Sequence, residues 1–439
     1  MVEKRDEEGF FGRCAEVRRL ALSFSDPLIV HHYDADGLSS GALVCSALLD
    51  EGRKFRHECI KKLDDNALER IARERELIFV DLGGGNKRVN ELRDVVIIDH
   101  HQTNGIEKPQ ANPLLFGIDG GDELSAAGTA YCVFRRRADL AIVGAVGDMQ
   151  HPLKGMNRFV LEEGRRSGEV ALEIDLKMYG RYSRPLVQFL AYSDDPILPG
   201  IAYREDKAAE FLTETGIRYE GRKYAELDEN EKKMLVSAIA RVLLSASRLD
   251  GAHSMIGESY VFPKRPKDET YEASEFSTLL NACGRHSKPE VGLRVCLGDG
   301  AALEEARALL ALHRRMLREG IEFAQGGVQD FGRFRFLDAR GVIDEGIVGI
   351  VCGMTMRQSW KEPIIGIADG EDGWIKVSGR ASRAQVAAGM NLGDLMRHGC
   401  QKAGGAGGGH RIAAGASIPE GKLNDFLLAA GEYLREHLR

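Results

Sequence analysis

The chain has 439 residues, 43% of them hydrophobic and 29% charged, with a formal net charge of −7. That length implies two or three domains, and the acidic balance argues against a surface coated in basic residues for duplex DNA. No apolar run approaches the roughly 20 residues of a membrane helix, and the first thirteen residues lack the apolar core of a secretory leader. Eight cysteines stand apart with no CxxC pair, which excludes an obvious zinc ribbon and fits reduced thiols in a cytoplasmic chain.

Short apolar runs recur in the first 150 residues, at 28–30, 77–80, 95–98 and 141–146. Separated by helix-length segments such as 65–75, they predict buried parallel strands in βαβ units. Each run leads into residues that carry chemistry. His31-His32-Tyr33-Asp34-Ala35-Asp36-Gly37 succeeds the first, Asp81 the second, Asp99-His100-His101 the third and Gly147-Asp148 the fourth. In an open parallel sheet, ligands bind beyond the carboxyl ends of the strands. A single aspartate there is ordinarily a cap or turn former, and Asp34 fits as the cap of a helix starting near Leu38. Four ends delivering carboxylates and imidazoles to one edge would repel one another without a counter-charge. Divalent cations remove that cost. Carboxylate and imidazole donors without thiolate suit Mn2+, with Mg2+ as the alternative, and two such ions would activate a water for attack on phosphorus.

The pieces HHYDADG at 31–37, VDLG at 80–83, IDHHQT at 98–103 and AVGDM at 145–149 resemble, in this order, the DHH phosphoesterase superfamily. Asn112-Pro113 and Ser125-Ala126-Ala127-Gly128-Thr129 are similar to its intervening motifs. The resemblance implies that Asp34, Asp36, Asp81, His100 and Asp148 ligate metal, with Asp81 as the bridge. It further implies that Asp99 orients His100 from behind and that His101 faces the substrate phosphate. Some relatives carry a ligand histidine where this chain has Val30, so His32, or alternatively His31, is expected to take that role.

From Met156 the chain reads as helices closing the first domain, with a boundary at Asp195-Pro196. Residues 197–298 are expected to form an inserted module of mixed structure, including a helix over 229–249, and no chemical constellation falls there. A connecting helix is expected over 299–325, followed by sheet over 328–367. The run Gly404-Gly405-Ala406-Gly407-Gly408-Gly409-His410-Arg411 cannot be a helix interior. Between Lys376 and Arg411 six basic residues face Asp394 alone, a local charge of +5 in an acidic protein. Glycines let backbone approach an anion and arginines clamp phosphate oxygens; a flexible hinge is the plainer alternative. The segment resembles the DHH-associated domain through GGGH at 407–410, KVSGR at 376–380 and NLGDL at 391–395. That resemblance implies substrate-phosphate contacts from Arg380, Arg383, Asn391, Gly408, Gly409 and His410.

The expected architecture is α/β. A parallel-sheet DHH domain (1–196), the module (197–298), the connecting helix (299–325) and a smaller DHH-associated domain (326–439) succeed one another. The module makes the chain most similar to archaeal RecJ-like nucleases. The resemblance implies a manganese-dependent exonuclease on single-stranded DNA or RNA, with catalysis at Asp81, His101 and Asp99. It also implies GINS and the replicative helicase assembly as partners. The alternatives are an oligoribonuclease or cyclic-dinucleotide phosphodiesterase of the same superfamily and, ranked last, a non-catalytic replisome scaffold.

Overall fold

Alternation at period two organises the first sheet. In the computed structural model, which describes residues 5–193, 195–246, 249–356 and 360–437, five strands pair in the order β2-β1-β3-β4-β5, all parallel. They are β1 (Leu28–His32), β2 (Arg56–Ile60), β3 (Glu76–Val80), β4 (Asp94–Ile98) and β5 (Gln110–Ala111). Ile29, Ile78, Val80, Val96 and Ile98 face one core. Leu28, Val30, Leu77, Phe79, Val95 and Ile97 face the other. Both faces are therefore covered, as a parallel sheet requires. Helices α1 (Glu7–Ser23), α2 (Ala35–Asp50), α4 (Ala126–Phe134), α5 (Ala138–Gly147) and α6 (Gly155–Arg166) share the first core, and α3 (Asp65–Ile71) the second.

The chain divides into two compact units, residues 1–310 and 311–439. The first unit continues through β6 (Ala171–Leu176), α7 (Leu186–Ala191), α8 (Glu205–Glu214), α9 (Glu229–Ser245), α10 (Leu249–Ser254), β7 (Ile256–Val261), α11 (Ala273–Arg285) and α12 (Pro289–Cys296). Strands β6 and β7 form an antiparallel ribbon. Residues 197–298 do not pack as one module. Leu212, Leu235, Ile239 and Leu243 join Leu186 and Phe189 in a core of their own, whereas Phe276, Leu280, Val291 and Leu293 are buried in the core of the parallel sheet. The helical periodicity of the sequence marks these segments but carries no sign of which core they enter.

The expected fourth strand, 141–146, is instead the middle of α5. Its Ala141, Ile142, Val143 and Ala145 are buried on all sides among α2, α4 and α11. A short, wholly apolar run has no period by which a buried helix differs from a buried strand. Strand β2 escapes sequence reading for the opposite reason, being an edge strand with polar Arg56, His57 and Glu58.

Helix α13 (Gly300–Gly327) comes next. The second unit holds β8 (Gln329–Asp330), β9 (Arg335–Asp338), α14 (Val348–Thr355), β10 (Ile364–Asp369), β11 (Trp374–Arg380), α15 (Arg383–Ala387), α16 (Leu392–Ala403), β12 (Ala406–Gly409), β13 (Ala413–Pro419) and α17 (Leu423–His437). Its sheet runs β12-β13-β11-β10-β9-β8, antiparallel except for β9 with β10. The stretch 328–367 is thus sheet interrupted by a helix, not sheet throughout. Val377, Leu395, Met396, Ile418 and Phe426 form this unit's core. No helix among the described residues is long and apolar enough to cross a membrane.

Candidate metal centre

Three strand ends and two helix ends meet at the carboxyl edge of the parallel sheet. His32 closes β1, Asp81 succeeds β3, and Asp99 with His100 succeeds β4. Asp36 lies in the first turn of α2, and Asp148 is the C-cap of α5. Asp148 therefore arrives from a helix, and its place beside the helix carboxyl terminus adds to the negative potential that draws a cation. The capping reading of Asp34 also holds, since its carboxylate accepts the Gly37 amide at 3.0 Å at the start of α2. One residue thus both fixes the helix and faces the cluster.

Two donor groups flank this edge, His32, Asp34 and Asp81 on one hand and Asp36, His100 and Asp148 on the other, and a third, Asp81, His100 and His101, overlaps both. His32 Nδ1 lies 3.0 Å from Asp34 Oδ2 and 3.4 Å from Asp81 Oδ2. His100 Nε2 lies 3.3 Å from Asp81 Oδ1, 3.4 Å from Asp148 and 3.8 Å from Asp36. Asp81 consequently turns one oxygen to each group. It does so from a left-handed backbone conformation, φ 61°, uncommon for a residue with a side chain. His31 joins none of these donor groups, although its buried Nε2 also lacks a hydrogen-bond partner among the described residues. It is fully buried, its Nδ1–H donates to the His32 carbonyl at 2.9 Å, and burial pushes its pKa down to about 4.

Backbone amides hold the carboxylates. Asp36 accepts the Ala126 and Ala127 amides at 2.7 and 2.9 Å, at the N-terminus of α4, which accounts for the small residues at 125–129. Gly144 must lack a side chain, because a Cβ there would sit 2.2 Å from Asp36 Oδ1. Asp99 accepts the Gly84 amide at 2.9 Å, the His100 amide at 2.8 Å and the His101 ring Nδ1–H at 2.9 Å. Asp99 thus orients the ring of His101, not that of His100. The His100 ring is set by Gly120, whose carbonyl accepts from Nδ1 at 2.7 Å and leaves Nε2 toward the carboxylates. Asn112 donates to the His101 carbonyl at 2.9 Å and caps the next turn.

The electrostatics mark this edge as built around an added positive charge. Burial and the neighbouring Asp148 and Asp81 raise the Asp36 carboxyl well above the carboxylate range, and burial with Asp81 and Asp34 pushes Asp148 up to about 7. Burial disfavours charge on His100, yet the Asp81 carboxylate 3.3 Å away and the surrounding Asp36 and Asp148 raise its pKa well above normal. Against the same burial, Asp34 drives His32 up to about 11. His32 Nδ1, Asp81 Oδ1 and His100 Nε2 are buried without a hydrogen-bond partner among the described residues. Nitrogen and oxygen donors left open in this way fit one or two hard or borderline divalent cations.

In the second unit, Arg380 ends β11 and pairs across to Ala413 on β13, while Gly408 and Gly409 pair with Gly415 and Ala414. The His410 amide donates to the Ala413 carbonyl at 2.9 Å. Asn391 caps α16, and the adjoining Gly393 packs on the Gly409 carbonyl. The fold therefore gathers Arg380, Asn391, Gly408, Gly409 and His410 at one end of the sheet. Arg397 lies beside Gly408, and Arg411 is next in the chain after His410. Arg383 opens α15 and is exposed, with no hydrogen bond to this strand end among the described residues. The glycine run is neither hinge nor free loop but an edge strand.

Sequence reading misses contributors from distant segments. Asn281 of α11 accepts the Ala35 amide at 3.0 Å, between Asp34 and Asp36. Arg285, half-buried on the same helix, is held below the usual guanidinium range by burial, against the nearby Asp34 charge. Neither stands in a recognisable pattern.

Three family models match the chain: the DHH family N-terminal domain over residues 27–149, the DHH-CID domain over 178–251 and the DHHA1 domain over 335–436. An uncharacterized protein of Methanocaldococcus jannaschii is 29% identical over 430 residues, 94% of each chain. RecJ of Thermus thermophilus, solved in complex with Mn2+, is 17% identical with a TM-score of 0.61; the match covers 98% of this chain and 56% of that one. Cdc45 of Entamoeba histolytica is 14% identical with a TM-score of 0.62, over 98% and 99% of the two chains. At these identities the two solved structures speak to fold. With DHH, DHH-CID and DHHA1 domains in sequence on a RecJ-like fold, the chain belongs to the DHH superfamily.

Proposed function

We propose that the protein is a divalent-metal-dependent exonuclease that hydrolyses phosphodiester bonds of single-stranded DNA or RNA. The observation that carries this reading is Asp81, whose two oxygens face separate donor groups. In this reading His32, Asp34 and Asp81 hold one ion, and Asp36, His100, Asp148 and Asp81 the other, with Mn2+ preferred and Mg2+ able to substitute. Bound there, the ions would supply an acidified water and offset charge on the phosphoryl group. The chain's own residues do the rest. Asp81 ties the two groups together, Gly120 fixes the His100 tautomer, and Asp99 aims His101 at the substrate phosphate. In the second unit Arg380, Arg383, Asn391, Gly408, Gly409 and His410 hold the nucleotide phosphates.

A non-catalytic scaffold is disfavoured because every member of both donor groups is present and brought together. The oligoribonuclease or cyclic-dinucleotide alternative uses the same centre and differs in substrate length. Residues 178–251, with their own core, are proposed to set that length or to dock a partner such as GINS. The eight free cysteines accord with a cytoplasmic setting. End-labelled single strands of DNA and RNA of graded length, incubated with Mn2+ and resolved on a gel, test the reading. Stepwise shortening from one end, abolished by EDTA, is the expected result. Absence of cleavage on every length with either metal would overturn it.

A further inference from the structure

A cavity of about 610 Å3 opens beside the metal centre within the first unit. Its lining combines His32, Asp81 and His101 of that centre with Lys61, Lys62 and Lys87. The lysines come from two loops beyond the carboxyl ends of β2 and β3, and the fold ties those loops together. Asn86 donates to the Leu63 carbonyl at 3.0 Å and accepts the Arg88 amide at 3.1 Å. Arg88 in turn reaches Asp65 at 2.9 Å. The bend that brings Lys87 over the cavity starts at Gly83 (φ 111°), where a Cβ would press to 3.0 Å on Phe79. Gly85, on the cavity wall, has only one atom within 4 Å of where a Cβ would stand, the Gln102 carbonyl oxygen at 3.9 Å.

Two features point to an anion as occupant. Lys62 and Lys87 have no ion-pair partner among the described residues, so their charges remain available, while Arg88 is already engaged by Asp65 and Glu91. The cavity is also continuous with the centre that the phosphodiesterase reading assigns to the scissile phosphate. A single strand carries its next phosphate only one nucleotide away, and lysines act on it as strong point charges. We propose that this cavity is a strand-backbone site, in which Lys61, Lys62 and Lys87 hold the phosphate adjoining the one at the metal centre. This rests on that reading and deepens it. It gives the first unit its own hold on a polyanionic strand, separate from the arginine–glycine end of the second unit.

The test reads binding rather than turnover. A fluorescein-labelled twelve-nucleotide single strand is titrated by fluorescence anisotropy in Ca2+, across a salt series, against the wild type and Lys62→Ala/Lys87→Ala. The double variant is expected to bind about tenfold more weakly at low salt. The slope of log affinity on log salt should fall by up to about 0.7, the contribution of the one phosphate these lysines hold. Lys62→Arg/Lys87→Arg should restore most of the affinity, and Lys207→Ala, a charge loss elsewhere on the surface, should change little. Unchanged affinity and slope in a folded double variant would overturn the proposal, as would an equal loss in Lys207→Ala. Strand binding that depends on the lysines, in a wild type that cleaves nothing with Mn2+, would overturn the phosphodiesterase reading and leave the cavity as a binding site.

Discussion

At the carboxyl edge of the parallel sheet, Asp36, Asp81, Asp99 and His100 are at most 6% exposed, and Asp36 and Asp99 each accept two or more amides. At the Gly408–His410 end of the second sheet, His410 and Arg411 stand exposed beside glycines that present little but backbone. Under the proposed function, the contrast would serve two kinds of ligand. Buried carboxylates crowded together are tolerable only with a cation among them, so their geometry must be fixed in advance. Exposed arginines remain hydrated without a ligand and cost the fold little, so under the proposed function that end would take up and release an anion repeatedly.

The largest expected effect tests the buried side of this contrast. Asp81→Asn should fold normally yet lose about 10³-fold in turnover, because several kcal/mol of charge stabilisation depend on the carboxylate joining both groups. Near-wild-type rates in steady-state kinetics would show that the edge does not act as one centre. Next, Asn281→Ala removes the hydrogen bond that fixes the Asp34–Asp36 start of α2. Loss of such an outer partner should weaken Mn2+ binding by about tenfold to a hundredfold, measurable by isothermal titration, while leaving oligonucleotide contacts at the Gly408 end intact.

Stability should also divide along these lines. Burial, with the charge of Glu272, pushes the Glu275 carboxyl on α11 up to about 7 from an ordinary value of 4.5. The folded chain then holds a proton that the unfolded chain releases between those values. The stability this group contributes is present below about pH 4.5 and lost as pH rises through 7. Glu275→Gln should therefore raise stability at pH 8, by up to about 3 kcal/mol, and flatten the acid side of the profile; denaturant melts at pH 5 and pH 8 measure both. The smallest effect is expected on the exposed side. Arg380→Ala should raise KM about tenfold, the worth of one charge-assisted contact, with Mn2+ affinity unchanged. A fall in metal affinity would mean that the second sheet end is coupled to the first.

Much of this was legible in the residues themselves. Asp81 and Asp99-His100-His101 come directly after apolar runs that could be little but parallel strands, and parallel strands deliver the residues beyond their carboxyl ends to one edge. The run 141–146 defeated that logic because it is buried on every side. Asp148 reached the centre all the same, carried by a helix end in place of a strand end. Asn281, Lys62 and the Gly120 carbonyl were illegible for a different reason. Their roles come from packing between segments far apart in the chain, and neither an amide side chain nor a backbone oxygen leaves a pattern in sequence. The exchange of His100 for His101 as the ring that Asp99 holds belongs with these, since neighbouring histidines differ only in which way the turn aims them.

The bond from Asn281 to the Ala35 amide spans 246 residues. A ribosome adding roughly 5–20 residues per second needs roughly 12–50 s to travel from one partner to the other. Within about the first third of that interval all five strands of the parallel sheet have been made, while the start of α2, with Asp34 and Asp36, waits for its last restraint. During synthesis, the acidic edge of the nascent chain is thus complete in composition well before it is fixed in shape, and α11 is the element that ends the delay.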